Sequence, residues 1–144
     1  MSGIIVFTTG LPVNVTQAGD VANFGGATGP QRPNRIGDPN QNLGASIDQW
    51  FNTAAYVAVK GTGSIGNAQY NSTWGPGIAN FDTSLLKTFR PSERLRIQTG
   101  VEAFNTLNHT QFESVGNQIG SATFGIVTAA RDPRILQLRL KLSY

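Results

Sequence analysis

The sequence predicts an all-β chain of antiparallel, up-and-down strands joined by long loops. Three observations predict it. Leu136, Leu138, Leu140, Leu142 and Tyr144 fall at every second position, with Gln137, Arg139, Lys141 and Ser143 between them. Successive side chains of a strand point to opposite faces, so this is one apolar wall backed by a polar, basic one. A helix would scatter the same residues around its circumference, so the period is about 2 rather than 3.6. Two further runs, near 78–89 and 94–105, alternate in the same way across the short turn Arg90-Pro91-Ser92-Glu93. Finally, only 13% of residues are charged, against about 25% in an ordinary soluble domain. The balance is 17 Gly, 7 Pro and abundant Asn, Thr, Ser and Gln, the composition of polar loops between strands.

Taken in order, the chain reads as a single region, 1–144, with strands near 2–9, 12–17, 78–89, 94–105 and 134–144. Long loops fill 18–77 and 106–133. Ile4-Ile5-Val6-Phe7-Thr8-Thr9 is rich in β-formers, Gly10-Leu11-Pro12 breaks it, and Val13-Asn14-Val15-Thr16 resumes the alternation. From about 17 to 42 the chain is polar and rich in Gly and Pro (Gly25-Gly26, Gly29-Pro30, Arg32-Pro33), with apolar residues too sparse to form a core. Ile47-Asp48-Gln49-Trp50-Phe51-Asn52 reads as a short helical turn, and Ala54-Ala55-Tyr56-Val57-Ala58-Val59 as an extended piece. Loop returns over 61–77, with Trp74-Gly75-Pro76-Gly77 as its strongest turn signal. Phe124-Gly125-Ile126-Val127 is a short extended stretch inside the last loop.

In the 78–89 run, Phe81, Thr83, Leu85, Lys87 and Phe89 share one face, and Asn80, Asp82, Ser84, Leu86 and Thr88 share the other. In the next run Leu95, Ile97, Thr99, Val101 and Ala103 lie opposite Arg94, Arg96, Gln98, Gly100 and Glu102. Runs of about ten to twelve residues match the 9–11 that cross a bilayer as tilted strands. The mode for soluble strands is about 5–6. Two readings fit the pattern. An outer-membrane barrel turns apolar residues to lipid and polar ones to its lumen; the edge of a soluble sandwich shows the same alternation. A short turn at one end and long loops at the other is the barrel layout.

Several function classes fall away. There is no Cys, which removes disulfides, thiolate metal sites and Cys nucleophiles. No stretch approaches the roughly 20 apolar residues of a membrane helix. Ile4-Ile5-Val6-Phe7 is too short for a signal peptide and follows no basic region. Met1 opens directly into a strand-like segment, so the expectation is a chain begun mid-fold, with any export signal upstream. The net charge of +3 is spread over strands and loops, so no nucleic-acid partner is expected. His109 is the only histidine and reads as a loop residue, with no second His and no Cys to complete a site. No Gly-x-Ser-x-Gly elbow occurs, and Gly61-Thr62-Gly63-Ser64-Ile65-Gly66 lacks the βαβ context of a dinucleotide loop. Neither an enzyme nor a metal or cofactor site is expected.

The charges that attract interest are Asp82, Arg96, Glu102, Arg139 and Lys141, all on the polar faces of the three best strands. In a barrel they line the lumen, with cross-strand ion pairs; in a sandwich they face water. Trp50, Phe51, Tyr56, Tyr70 and Trp74 admit three roles: loop-borne ligand contacts, interfacial anchors or local packing.

Three ordered pieces carry a family resemblance: Phe81-Asp82-Thr83-Ser84-Leu85-Leu86-Lys87-Thr88-Phe89, Glu93-Arg94-Leu95-Arg96-Ile97-Gln98, and Glu102-Ala103-Phe104-Asn105-Thr106-Leu107-Asn108-His109. Together with Ala130-Arg131-Asp132-Pro133-Arg134, the Gln31-Arg32-Pro33-Asn34-Arg35 and Asp48-Gln49-Trp50-Phe51 segments and the Leu-alternating end, they resemble one group. It is the C-terminal region of Oar-like TonB-dependent outer-membrane receptors, the acidobacterial type with a carboxypeptidase-regulatory-like domain. The resemblance implies a C-terminal portion of an outer-membrane β-barrel of about 22 strands with a plugged lumen, of which this chain has room for about five or six. It implies a bacterial outer-membrane location, with lipid, the barrel-assembly machinery and the remainder of the parent barrel as partners. Leu136, Leu138, Leu140, Leu142 and Tyr144 would then be the signal the assembly machinery reads. Transport belongs to the whole receptor. Two other outcomes stay open: a chain that pairs with copies of itself into an oligomer or fibre through its strand edges, and a soluble β-sandwich binding module.

Overall fold

The computed structural model describes residues 1–23, 31–61 and 63–144. The Gly25-Gly26, Gly29-Pro30 and Thr62 parts of the expected loops lie outside them. Strand accounts for 44% of the described residues, about twice the usual share, and no α-helix occurs among them. The fold is all-β. The chain forms two compact units, Met1–Thr8 with Ile78–Gln111 and Arg131–Tyr144, and Thr9–Gly77 with Phe112–Ala130.

The first unit is a four-stranded antiparallel sheet of β1 (Ser2–Thr8), β2 (Ile78–Phe89), β3 (Arg96–Phe104) and β4 (Ile135–Ser143), in that spatial order. It is an up-and-down meander, and each strand pairs with the next in register. Local hydrogen bonding sets the strand ends. Leu95 donates its N–H to Ser92, so β3 begins at Arg96 rather than near 94. Asn105 takes a left-handed backbone, φ 49°, which a β ladder does not accept and Asn tolerates best among side-chain-bearing residues. Arg134 donates its N–H to Asn108 Oδ1, so β4 starts one residue later. The ends Thr8, Ile78, Phe104 and Ile135 share one end of the sheet; the 90–95 turn closes the other.

The second unit carries more strand pairing than the long loops expected over 18–77 and 106–133, of which 106–111 and 131–133 belong to the first unit. Short antiparallel pairs join Pro12–Val13 to Thr73–Trp74, Asn34–Arg35 to Tyr56–Val57, and Phe112–Val115 to Val127–Ala130. Thr16–Gln17 runs parallel to Gln118–Ile119, an exception to the antiparallel rule. The strand expected over 12–17 is thus two pieces with different partners, because Val15 between them turns into the core at 2% exposure. The helical turn expected over 47–52 is absent. Trp50 gives its N–H to Gly125 and takes the N–H of Gly44 on its carbonyl, which leaves nothing for a local helical bond; a single 3-10 turn follows at Thr53–Ala55.

Val15, Phe51, Ala55, Tyr56 and Ala68 form the buried core of this unit, with Trp50, Val115, Ile119 and Phe124 packed against it. Phe51 and Phe124 meet edge-to-face, 5.4 Å between ring centres, and Tyr56 closes the cluster at 6.1 Å from Phe51. Such pairs contribute about 0.5–1.5 kcal/mol beyond burial. The buried Gln17 and Thr73 side chains are tied in. Gln17 Oε1 accepts the Val59 N–H at 2.8 Å, and Thr73 donates to Asn40 Oδ1 at 3.0 Å. Burial holds the Tyr56 hydroxyl above the usual phenol range, opposed by its hydrogen bond with Ser72 and by the Arg35 charge.

Candidate functional site

Register turns the alternation of four strands into two continuous faces. Opposed residues of an antiparallel pair point the same way, so the rows can be read across the sheet. Thr83, Ala103 and Leu136 make one row; Leu85, Val101 and Leu138 the next; then Lys87, Thr99 and Leu140; then Phe89, Ile97 and Leu142. Ile5 with Phe81 and Phe7 with Ala79 extend the same face onto β1. Leu138 is 80% exposed and Leu136, Leu140 and Leu142 are all more than half exposed. Within the unit the Leu136 to Leu142 row lies bare, and soluble monomers rarely expose an apolar patch on this scale.

Lys87 is the only charge among these rows, and it sits toward the short-turn end. Its ammonium lies 4.9 Å from the Phe89 ring centre, a cation–π contact that lets a long chain carry its charge past an apolar surface.

The opposite face carries Asp82, Arg96, Glu102, Arg139 and Lys141, as the alternation predicts. Arg139 Nη1 approaches Glu102 Oε1 at 4.0 Å, a diagonal contact between β3 and β4. Gly100 stands opposite both Leu86 and Arg139. A Cβ there would come 2.5 Å from Leu86 Cδ2, so the missing side chain is what lets the Leu86 side chain lie over β3. Arg96 and Lys141 stand at the short-turn end, paired in the ladder with Ser143 and Gln98.

Asp82 has a different role from the ion pair expected of it. Its Oδ1 accepts the Asn105 N–H at 2.8 Å and Asn80 Nδ2 at 2.9 Å. It anchors the bend after β3. Asn105 then bridges to His109 in both directions, donating Nδ2 to its carbonyl and accepting its N–H, each at 3.0 Å. Gln111, only 5% exposed, uses its amide like a strand end, accepting from Ala79 N–H at 3.2 Å and donating to Ala79 O at 2.8 Å. Sequence reading missed this node. Its only signal was Asn105, a residue suited to the left-handed region directly after a long strand.

The remaining sequence candidates are structural. Among the described residues no group of three metal-ligating side chains occurs, and His109 stands in the loop that Asn105 organises. Phe51 and Tyr56 are core, Trp50 donates its indole N–H to Trp74 O at 3.0 Å, and Arg32 stacks over Tyr70 at 5.3 Å. Leu136, Leu138, Leu140 and Leu142 lie on the apolar face, and the Tyr144 ring stands fully exposed just beyond β4.

A sheet with one mainly apolar face, one charged face and three strands, β2 to β4, long enough to cross a bilayer is the wall of a membrane β-barrel. Residues 1–137 match the model of the outer membrane beta barrel domain, and the chain belongs to that family. No curated protein and no solved structure matches it. Its location is the bacterial outer membrane.

Proposed function

We propose that the chain supplies the last strands of a TonB-dependent outer-membrane receptor of the Oar-like type. It contributes barrel wall, lumen lining and the closing strand. The observation that carries this reading is the register: four strands in sequence order place the Leu136 to Leu142 row with Phe81, Leu85, Phe89, Ile97 and Val101 on one face and Asp82, Arg96, Glu102, Arg139 and Lys141 on the other. Membership of the barrel family gives the setting, and the ordered motifs around Phe81–Phe89 and Asn105–His109 support the receptor type. In this reading the apolar face meets lipid, the charged face lines the lumen, and the barrel-assembly machinery reads the Leu136 to Tyr144 pattern. Closure of β4 against the first strand of the barrel satisfies its outer edge, because lipid leaves no partner for an open one.

The test is sedimentation and circular dichroism of the purified chain with and without detergent. A detergent requirement is expected. A soluble, monomeric, β-rich chain without detergent would replace the barrel reading by a binding module. To test the receptor type, residues 135–144 are deleted from the full receptor; energy-dependent uptake and assembly should be lost together. A second reading rests on the edges. β1 and β4 each have one unpaired side, so the chain alone pairs with copies of itself; large β-rich assemblies in the same sedimentation run would show it.

A further inference from the structure

Within the first unit the residues after β3 fold back beside the apolar face and leave a cavity of about 440 Å³. That is inside the 300–1,000 Å³ range of small-molecule sites. Ile5, Phe7, Ala79 and Phe81 line it, and all four belong to the apolar face that also carries the Leu136 to Leu142 row. Leu107, 74% exposed, forms a wall from the loop side. The far end is polar, with Asn108, His109 and Thr110.

This polar end is pre-formed. Asn105 holds the His109 backbone on both sides, and Asn108 Oδ1 is fixed by the Arg134 N–H at 3.1 Å. An arrangement already ordered loses little entropy on binding.

We propose that this cavity binds one acyl chain of a membrane lipid, with the polar oxygens of its linkage at Asn108 and His109. The inference rests on the barrel reading, because the cavity is continuous with the face that meets hydrocarbon. An open apolar groove, with Ile5, Phe7 and Leu107 all exposed, is covered by apolar molecules in preference to water, and along a bilayer-facing wall the molecule at hand is a lipid chain. The polar rim lies at the long-loop end of the sheet, the extracellular end in barrels of this kind. There the chain meets the level at which a lipid's linkage becomes polar. Plain wall residues such as Leu138 and Leu140 touch passing lipid; the cavity retains one.

The test uses the full chain in vesicles of phosphatidylethanolamine and phosphatidylglycerol that carry a trace of phospholipid with a diazirine on its acyl chain. Photolysis and peptide mapping should place labels on Ile5, Phe81 and Leu107 well above those on Leu138 and Leu140. Ala79→Trp should lower cavity labelling about tenfold, the effect of roughly 1.4 kcal/mol, and leave Leu138 and Leu140 unchanged. Leu107→Trp, at an exposed position that tolerates bulk, should act in the same direction and covers the case in which Ala79→Trp fails to fold. Even labelling along the wall, or cavity labelling that neither substitution alters, overturns the proposal. So does labelling by a diazirine fatty acid without labelling by the phospholipid. Flotation of the same vesicles separates the two levels: a chain that does not float sinks the barrel reading, whereas one that floats with even labelling sinks the cavity alone.

Discussion

Asn105 holds two functions in one residue: a left-handed backbone, φ 49°, and a side chain that ties His109 at both ends. Asn105→Gly keeps the backbone and removes the bridge; Asn105→Ala removes both. We expect the glycine variant to lose about 1–2 kcal/mol and the alanine variant about 1 kcal/mol more, measured by urea unfolding in micelles. Equal losses would show that the backbone is unstrained there. At Glu102 the expectation is small. The 4.0 Å contact joins partly exposed groups, so Glu102→Gln should change stability by less than about 1 kcal/mol.

Tyr56 sets a pH limit on the second unit. Burial raises its pKa above 10.0, so the neutral form is the one the folded state favours. Stability from this group is complete below the unfolded value and is lost as pH rises through the higher folded value. Trp fluorescence should therefore report loosening of this unit only on the alkaline side of pH 10, and Tyr56→Phe should remove that transition. At this scale the sequence was half legible. Asp82 and Glu102 were visible as polar-face residues, yet the Asp82–Asn105 bond spans 23 positions, a distance over which no periodicity reports contact.

Among the elements, β4 was the most legible because its two faces differ at every step from Leu136 on. The face of a side chain follows from parity alone, and the register then places Leu140 beside Thr99 and Arg139 beside Gly100. Leu138→Arg, in the row of Leu85 and Val101 midway along the sheet, should cost about 2–4 kcal/mol, whereas Gln137→Arg, on the charged face, should be nearly neutral. Unfolding equilibria in vesicles compare the two, and equal penalties would contradict the assignment of faces. Strand ends were less legible. They depend on which N–H finds a partner off the ladder, as Leu95 does in Ser92 and Arg134 in Asn108.

For the whole molecule the lesson lies in the second unit. Its core draws Val15, Phe51, Tyr56 and Ala68 from one excursion of the chain and Val115 and Phe124 from another. No single window contains enough apolar residues to announce a core, so each excursion reads as loop. Phe51→Ala should cost that unit about 3–5 kcal/mol and expose 9–77 to protease, with the strands of the sheet still protected; loss of the sheet as well would mean the two units fold as one. One consequence follows from the meander. β1 runs away from the short-turn end and β4 returns to it, so the four strands are neutral in direction. Such a block can be duplicated or removed from a closed barrel without reversing either neighbour, which lets the circumference of a barrel grow or shrink in even steps.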